Sequence, residues 1–355
     1  MKFLKIGLPM AEIKLTWKAL QVNNPQDIFV GKVKRLNKLE GGNSIDLEGR
    51  NPRSNEELVV TISEEKIVQK NSLSGLQSLE DIEIGDIIHV SEKSIRNIYR
   101  VNSPNNAIFA TVRCNSNCLM CSQPPLDIDD VYENYLIWTA AIDMLPDNIP
   151  FIGVTGGEPT LMGSYLVEIL NLLLEKYPDI MIDVLSNGRL AAKKETCDIL
   201  SEIIDPSRVV FAIPLYSDIY RLHDHVVQSK DAFFQTIAGI HNLSKLGFLI
   251  EIRVVLHKLT SERLEQLSQY VHKNFPFIYH ITFMGLELIG YTKKHKAELE
   301  ITETENLNDH LERAIQLLSK WNYRTSIYNT PLCHLPENLR PFAKQSISDW
   351  KNGYL

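Results

Sequence analysis

From residue 106 onward, short apolar and β-branched runs alternate with longer amphipathic ones, and this alternation limits the chain to very few folds. The strand candidates are Ala107–Val112, Phe151–Thr155, Met181–Leu185, Val209–Ile213, Ile250–Val255 and Tyr279–Met284. Between them the sequence predicts helices over Val131–Leu145, Tyr165–Lys176, Glu195–Ile204, Ala232–Leu246 and Arg263–Val271. Strands separated by helices are joined by crossovers, so they lie parallel in one sheet. Such units wind right-handedly, and six of them curl into an open, partial (β/α)6 barrel of TIM type. The fold class is therefore α/β. A later helix starts at a capping box, Thr302-x-x-Glu305, with Leu307, Leu311, Ile315, Leu318 and Trp321 on one face, and Thr325–Tyr328 reads as a closing strand.

Residues 1–105 lack a helical period. Asp27–Val30, Leu58–Ile62 and Asp86–Val90 read as β runs, with Gly41-Gly42-Asn43 and Gly49-Arg50-Asn51-Pro52 as turns. Three segments result: a smaller β-rich domain over 1–105, the partial barrel over 106–295 and a C-terminal α/β extension over 296–355. The 355 residues, 44% of them hydrophobic, are enough for a full core. Net charge is +1 over residues 1–105 and −8 over the remainder, and an acidic barrel argues against a nucleic-acid substrate, whose backbone demands a basic track. Charges at Lys2, Lys5, Glu12 and Lys14 interrupt the N-terminal segment, and no run is long enough to span a bilayer. Neither a membrane nor a nucleic acid is expected as a partner, and a cytoplasmic location is.

In parallel βα folds the chemistry sits on loops at the carboxyl ends of the strands. Four polar loops satisfy that rule here: the one carrying Cys114, Cys118 and Cys121 after the first strand, Gly156-Gly157-Glu158-Pro159 after the second, Ser186-Asn187-Gly188 after the third and Tyr216-Ser217-Asp218 after the fourth. Three of five cysteines fall within eight residues. Clustered cysteines point to metal or redox chemistry in a reducing compartment rather than a disulfide framework. Cubane iron–sulfur clusters take cysteine thiolates, normally four, so three leave one iron open to a small chelating ligand with an amino and a carboxylate group. A structural zinc site needs a second ligand pair, which Cys197 and Cys333 do not supply. A thioredoxin-type Cys118-Leu-Met-Cys121 leaves Cys114 idle.

Gly156 and Gly157 fit a strand-to-helix turn that needs unusual backbone angles, and they also let main-chain groups approach a ligand's amino group. Glu158 either meets that ligand or caps the turn. Ser186 or Asn187 is a candidate for the nucleoside or carboxylate of a ligand, although Asn-Gly also suits a plain turn. Arg253 is a charge within a buried run and needs a partner, either a ligand carboxylate or Glu251 with a neighbouring acid. His223 and His225, two apart, diverge on a helix, which favours solvation or substrate contact over metal binding. Cys197 reads as a small buried hydrophobe.

The spacing Cys114-x3-Cys118-x2-Cys121 followed by Gly156–Pro159 resembles the radical SAM superfamily from roughly Ala107 to Gly290. Met120 stands where members often carry an aromatic residue. More narrowly, Arg113–Pro125, Leu222–His225 with Ala232–Ile237, Met284–Glu287 and Ser346–Lys351 look like the His-Xaa-Ser system radical SAM maturase of the HxsC type. The resemblance implies a [4Fe–4S] cluster on Cys114, Cys118 and Cys121. It implies S-adenosylmethionine near Gly156, Gly157, Glu158, Pro159, Ser186, Asn187 and Arg253, with no general acid or base. It further implies a peptide substrate of His-Xaa-Ser repeat type, a partner radical SAM protein and a reductant such as flavodoxin or ferredoxin. Two rival readings follow the same residues: radical chemistry on a nucleoside or small metabolite, and a zinc-stabilised binding protein without catalysis.

Overall fold

The computed structural model describes residues 16–18, 21–23, 28–39, 42–65, 72–74, 79, 81–91, 94–300 and 304–344. By contacts the described residues form two compact units, one comprising those up to Asn106 with Leu136–Asp147, the other Ala107–Tyr135 and those from Asn148 to Lys344.

The first unit carries β1 (Thr16–Lys18), β2 (Gln21–Asn23), β3 (Ile28–Leu39), β4 (Gly42–Arg50), β5 (Glu57–Ser63), β6 (Ser72–Ser74), β7 (Ile87–Ser91) and β8 (Ser94–Tyr99). They form one sheet in the order β1-β8-β7-β3-β4-β5-β6-β2, antiparallel except between β5 and β6. Phe29, Val33, Ile45, Leu47, Val60, Ile62, Ile88, Val90 and Ile95 make its core. Alternation along the strands puts one face of the sheet inside, and each such side chain contributes roughly 1.5–3 kcal/mol on burial. Gly42 and Asn43 pair with Leu39 and Lys38 in the β3–β4 ladder, so those two turn residues are strand residues; Gly41 and Asp27 lie outside the described residues.

The second unit is built on seven parallel strands: β9 (Ala107–Phe109), β10 (Phe151–Thr155), β11 (Met181–Leu185), β12 (Val209–Pro214), β13 (Leu249–Leu256), β14 (His280–Gly285) and β15 (Thr325–Tyr328), adjacent in that order. The closing strand thus joins the barrel sheet as a seventh member, Ile281 to Met284 pairing with Thr325 to Tyr328. Helix α1 (Val131–Met144) belongs to this unit only as far as Tyr135, its remainder to the first; α2 (Ser164–Lys176), α3 (Lys194–Leu200), α4 (Tyr220–Val227), α5 (Ala232–Lys245), α6 (Lys258–Ser261), α7 (Leu264–Asn274), α8 (Lys296–Leu299) and α9 (Thr304–Lys320) fill the later crossovers and the region before β15. Thr302 of the expected capping box and Ser346–Lys351 lie outside the described residues. Among the described residues no helix is long and apolar enough to cross a membrane.

Side chains at alternate strand positions separate two environments. Ile152, Val154, Ile182, Val184, Phe211, Ile213, Ile252, Val254, Ile281, Phe283 and Ile327 are buried with Leu166, Leu170, Leu173, Ile240, Leu243, Leu267, Val271, Ile315 and Leu318 of the helices. That apolar layer is the core, and it holds every strand's carboxyl end in a fixed place. The opposite strand faces carry the polar residues Asp183, Glu251, Arg253, His280 and Ser326, which is why the barrel strands are not uniformly apolar.

Candidate active site

The cysteine loop leaves β9 and is clamped by neighbouring elements. At its base Ala110 N donates to Thr155 O at 2.7 Å, and Asp130 accepts from Thr111 Oγ1 and, at 2.9 Å, from Val112 N. The turn after β10 then closes on it, Gly157 N donating to Thr111 O at 2.7 Å and Glu158 N to Arg113 O at 2.8 Å. A Cβ on Gly157 would lie 2.0 Å from Arg113 O, and one on Gly156, where φ is +130°, 2.6 Å from Thr111 O. Main chain of the cysteine loop fills the room beside both glycines. Their lack of side chains is what allows the two loops to meet.

Farther along, Asn117 N donates to Val227 O at 3.1 Å and Leu119 N to Val226 O at 2.9 Å, so the C-terminal carbonyls of α4 hold the middle of the loop. Tyr291 N donates to Cys121 O at 2.8 Å and holds its far end. Arg189 spans the near side, donating from Nη1 to Asn115 O and to Ser116 Oγ at 2.8 Å, and from Nε to Gln235 Oε1 at 2.8 Å. A planar guanidinium serves three acceptors at fixed angles, which a lysine cannot do.

Glu158 is 0% exposed and binds the second and third rim loops together. Its Oε1 accepts from Thr160 N at 3.0 Å, Thr160 Oγ1 at 2.5 Å and Ser186 Oγ at 2.7 Å, and its Oε2 from Asn187 N at 2.7 Å. Thr160 is the second residue of the turn that Glu158 caps, with Pro159 at its first position. Asn187 in turn directs Nδ2 toward Cys114 Sγ at 3.8 Å and to Asn115 Oδ1, while its Oδ1 accepts from Arg189 N at 3.0 Å. The rim loops after β9, β10 and β11 are therefore one hydrogen-bonded body.

Arg253 stands apart from it. Its Nε donates to Glu251 Oε1 at 2.7 Å, with Asp183 Oδ2 3.8 Å from Nη2, and Glu251 also faces His280 Nδ1 at 3.4 Å. The neighbouring acids foreseen in the sequence are present. Burial dominates Asp183 and, with the nearby Glu251 charge, pushes its carboxyl up to about 6; burial opposes but the Arg253 charge and the His280 contact outweigh it at Glu251, which is held at about 2. The pair shares one guanidinium, so the two acids titrate together.

All three loop thiols are partly buried, and burial raises each of them. Burial and the Glu158 carboxylate push Cys114 up to about 11, while burial with the charges of Cys114 and Cys121 pushes Cys118 up to about 12. Cys197 donates instead to Ala191 O at 3.1 Å, and Cys333 is exposed. Among the described residues no set of three or more His, Cys, Asp or Glu side chains converges as one metal ion demands. A cluster is a larger body whose thiolates attach to different irons, so its ligands stand farther apart than those of a single ion. Three partly buried thiols on one clamped loop, with Cys197 bonded elsewhere, Cys333 exposed and a rigid polar turn joined to the loop, fit a cluster held at three corners.

His223 and His225 do diverge along α4. His223 is 1% exposed and its Nδ1 accepts from Tyr216 N at 3.3 Å, whereas His225 Nε2 meets Glu298 Oε1 at 2.6 Å on the surface. Asp218 of the fourth rim loop binds Arg263 at 2.6 and 2.9 Å. Sequence reasoning passed over Arg189, for which its position directly after Ser186-Asn187-Gly188 is the available signal.

Residues 108–271 match the Radical SAM superfamily, whose enzymes use a [4Fe–4S] cluster and S-adenosylmethionine. Among solved structures, the chain is similar to Streptococcus suis SuiB bound to S-adenosylmethionine, with 18% identity, a TM-score of 0.48, and 62% of this chain and 49% of that one covered. Native anSMEcpe with bound AdoMet gives 17%, 0.46, 62% and 62%. A radical SAM methyltransferase from Sphaerobacter thermophilus gives 12%, 0.45, 84% and 76%. The chain thus spans about half the length of SuiB. No curated protein matches it.

Proposed function

We propose, for a chain whose residues 108–271 form a radical SAM domain, that Cys114, Cys118 and Cys121 hold a [4Fe–4S] cluster and that the reaction modifies a peptide of His-Xaa-Ser type. The observation carrying the first part is the hydrogen-bonded body around the cysteine loop, which fixes three thiols beside a fully buried carboxylate hub. The chemistry such a centre supplies when bound is reductive cleavage of S-adenosylmethionine to a 5′-deoxyadenosyl radical, which abstracts a substrate hydrogen.

The chain's own residues hold and orient. Gly156 and Gly157 close the turn on the cysteine loop, and their remaining main-chain groups are the contacts offered to the cosubstrate's amino group. Pro159 starts that turn rigidly. Glu158 keeps Ser186 and Asn187 in register rather than reaching outward, since both its oxygens are already engaged. Ser186 and Asn187 line the cosubstrate side of the rim. Arg253 contributes as part of its acid pair, which keeps a guanidinium charged on the polar strand face. No residue is assigned as general acid or base.

Peptide specificity rests on the segments Arg113–Pro125, Leu222–His225 with Ala232–Ile237 and Met284–Glu287, which carry the maturase resemblance. The same reading gives residues 1–105 to peptide or partner recognition, residues 106–295 to the chemistry and 296–355 to an extension. It places the enzyme in the reducing cytoplasm with a flavodoxin or ferredoxin as reductant and a partner radical SAM protein. Two experiments test it. Anaerobically reconstituted protein, reduced in the presence of S-adenosylmethionine, should release 5′-deoxyadenosine. Co-expression with a His-Xaa-Ser repeat peptide should change that peptide's mass, and an unchanged peptide alongside 5′-deoxyadenosine release would redirect the reading to a nucleoside or small metabolite. Peptide cross-links mapping wholly outside residues 1–105 would refute the recognition role given to them.

A further inference from the structure

The sheet of the first unit buries one face and turns the other outward. Val33, Leu47, Val60 and Ile62 point into its core, so Lys32 of β3, Glu48 and Arg50 of β4, and Glu57 and Val59 of β5, at the alternate positions, stand on the opposite face. The register sets Lys32, Glu48 and Val59 side by side in one cross-strand row and Arg50 beside Glu57 in the next. The far end of α1, within the same unit, covers part of this face: Arg50 Nη2 pairs with Asp143, and Lys32 Nζ donates to Met144 O at 3.1 Å. What it leaves uncovered is an open cleft of about 680 Å³, lined also by Lys34 and Asp147. That volume lies within the roughly 300–1,000 Å³ of ligand clefts.

The charges of the cleft do not cancel. Lys34 is taken up by Glu48 at 3.5 Å, and Arg50 by Asp143 and by Asn55 Oδ1 at 3.2 Å. Lys32 is turned to the carboxyl end of α1, where the helix already carries partial negative charge. Glu57 stands opposite Arg50 in the ladder, yet that guanidinium reaches to the helix instead. Among the described residues neither Glu57 nor Asp147 has an ion-pair partner. Two exposed carboxylates are left over, beside a Val59 that is 56% exposed. An anionic partner would meet like charge there, and a cationic one would meet its complement.

We propose that this cleft docks a peptide segment carrying a lysine or arginine two residues from an apolar side chain, the cation meeting Glu57 or Asp147 and the apolar group covering Val59. Glu57 and Val59 are themselves two apart on one face of β5, and an extended peptide repeats the same spacing. The inference deepens the recognition role proposed for residues 1–105 and rests on that reading. No residue of the cysteine loop lines the cleft, so docking is independent of the iron–sulfur centre.

The test is fluorescence anisotropy of the full chain with a labelled, end-blocked peptide, Gly-Ser-Lys-Ser-Val-Ser-Gly, beside versions with Glu in place of Lys and Ser in place of Val. The Lys-Ser-Val peptide should bind severalfold more tightly than either. Glu57→Gln combined with Asp147→Asn should weaken it on the order of fivefold, the scale of one or two exposed ion pairs, and should flatten its dependence on salt. Glu175→Gln, exposed on α2 in the other unit, should bind as the wild type does. No measurable binding, equal binding of the Lys and Glu peptides, or a double variant that binds like the wild type overturns the proposal. So does a wild-type dimer that Glu57→Gln dissociates, because a second copy of the chain then occupies the face. With a photoreactive leucine in place of the peptide's valine, cross-links should fall within residues 32–59 and 143–147. Cross-links elsewhere in residues 1–105 overturn the cleft and leave the recognition role standing, whereas cross-links confined to positions outside both ranges and outside 1–105 overturn both.

Discussion

Glu158→Gln isolates the part of the site that the fold itself holds in place. The amide keeps the shape of the carboxylate but replaces one acceptor oxygen with an NH2 donor. With nitrogen at the Oε2 position, it faces Asn187 N–H across a former 2.7 Å hydrogen bond; flipped, it faces Thr160 N–H across a former 3.0 Å one. The hydroxyls of Thr160 and Ser186 can rotate to suit either orientation, and the two main-chain donors cannot. One buried N–H is therefore stranded whichever way the amide turns. A hydrogen bond to a charged acceptor contributes about 1.5–3 kcal/mol, and leaving its donor buried adds to the loss, so about 2–4 kcal/mol is expected. That corresponds to a melting temperature lower by roughly 5–12 °C for a unit of this size. Circular dichroism on the cluster-free protein measures it without interference from metal, and iron retention after desalting measures the effect on Asn187 and, through it, Cys114. If Glu158 acted only by touching the cosubstrate's amino group, cluster-free Glu158→Gln would melt with the wild type and lose only cosubstrate binding. That result would refute the hub.

Three further outcomes follow from the geometry. Gly157→Ala drives a methyl group to 2.0 Å from Arg113 O, so the turn and the cysteine loop must part; iron content after reconstitution should fall severalfold, and full iron content would show that the loops need not touch. Arg189→Lys keeps the charge but cannot serve Asn115 O, Ser116 and Gln235 together, so cluster loss on exposure to a chelator should quicken severalfold, measured by the decay of the visible absorbance, while equal rates would contradict the clamp. Acid should destabilise the barrel unit. Burial holds His223 at about 3 and His257 at about 4, below their unfolded value of 6.5, so both contribute stability that is full above that value and lost as pH falls toward the folded ones, whereas Asp183, raised to about 6 from 3.8, adds stability as pH falls between those values. Two protons against one leave a net slope of about 1.4 kcal/mol per pH unit between about pH 6 and 4.5 in urea unfolding of cluster-free protein, and a flat profile would show that the histidines are not buried neutral.

The strands at Phe151–Thr155, Met181–Leu185 and Thr325–Tyr328 were legible to the residue, because strands covered by helices read as short apolar runs cut off by polar turns. Val209–Pro214, Leu249–Leu256 and His280–Gly285 differ from expectation by one or two residues at their ends. The first strand stops at Phe109 although its apolar run continues to Val112. Hydropathy does not register that the partner strand turns away at Gly156, after which Thr111 and Arg113 bond to the turn and not to a ladder. Helix α3 ends at Leu200, short of Ile204, because Asn171 takes over the polar groups of Glu202 and Ile204, a contact 31 and 33 residues away that no local period contains. At the site, the order of motifs along the chain placed four loops on one rim, and hydrogen bonds join three of them. What the sequence could not reveal was the direction of Glu158. Its type suits a ligand contact and a turn cap equally, and only its four donors distinguish them. For Arg253 the choice lay between a ligand and nearby acids, and Glu251 and Asp183 are both within reach of its guanidinium.

The central claim is that three cysteines on one clamped loop hold an iron–sulfur centre with an open corner. Its most direct measurement is electron paramagnetic resonance of the anaerobically reconstituted, reduced chain, with and without S-adenosylmethionine, beside iron, sulfide and zinc analysis. The account predicts a [4Fe–4S]⁺ signal that changes shape when S-adenosylmethionine is added and is absent when Cys114, Cys118 and Cys121 are replaced by alanine. Stoichiometric zinc without iron or sulfide, or a cluster signal that survives the triple replacement, would contradict it.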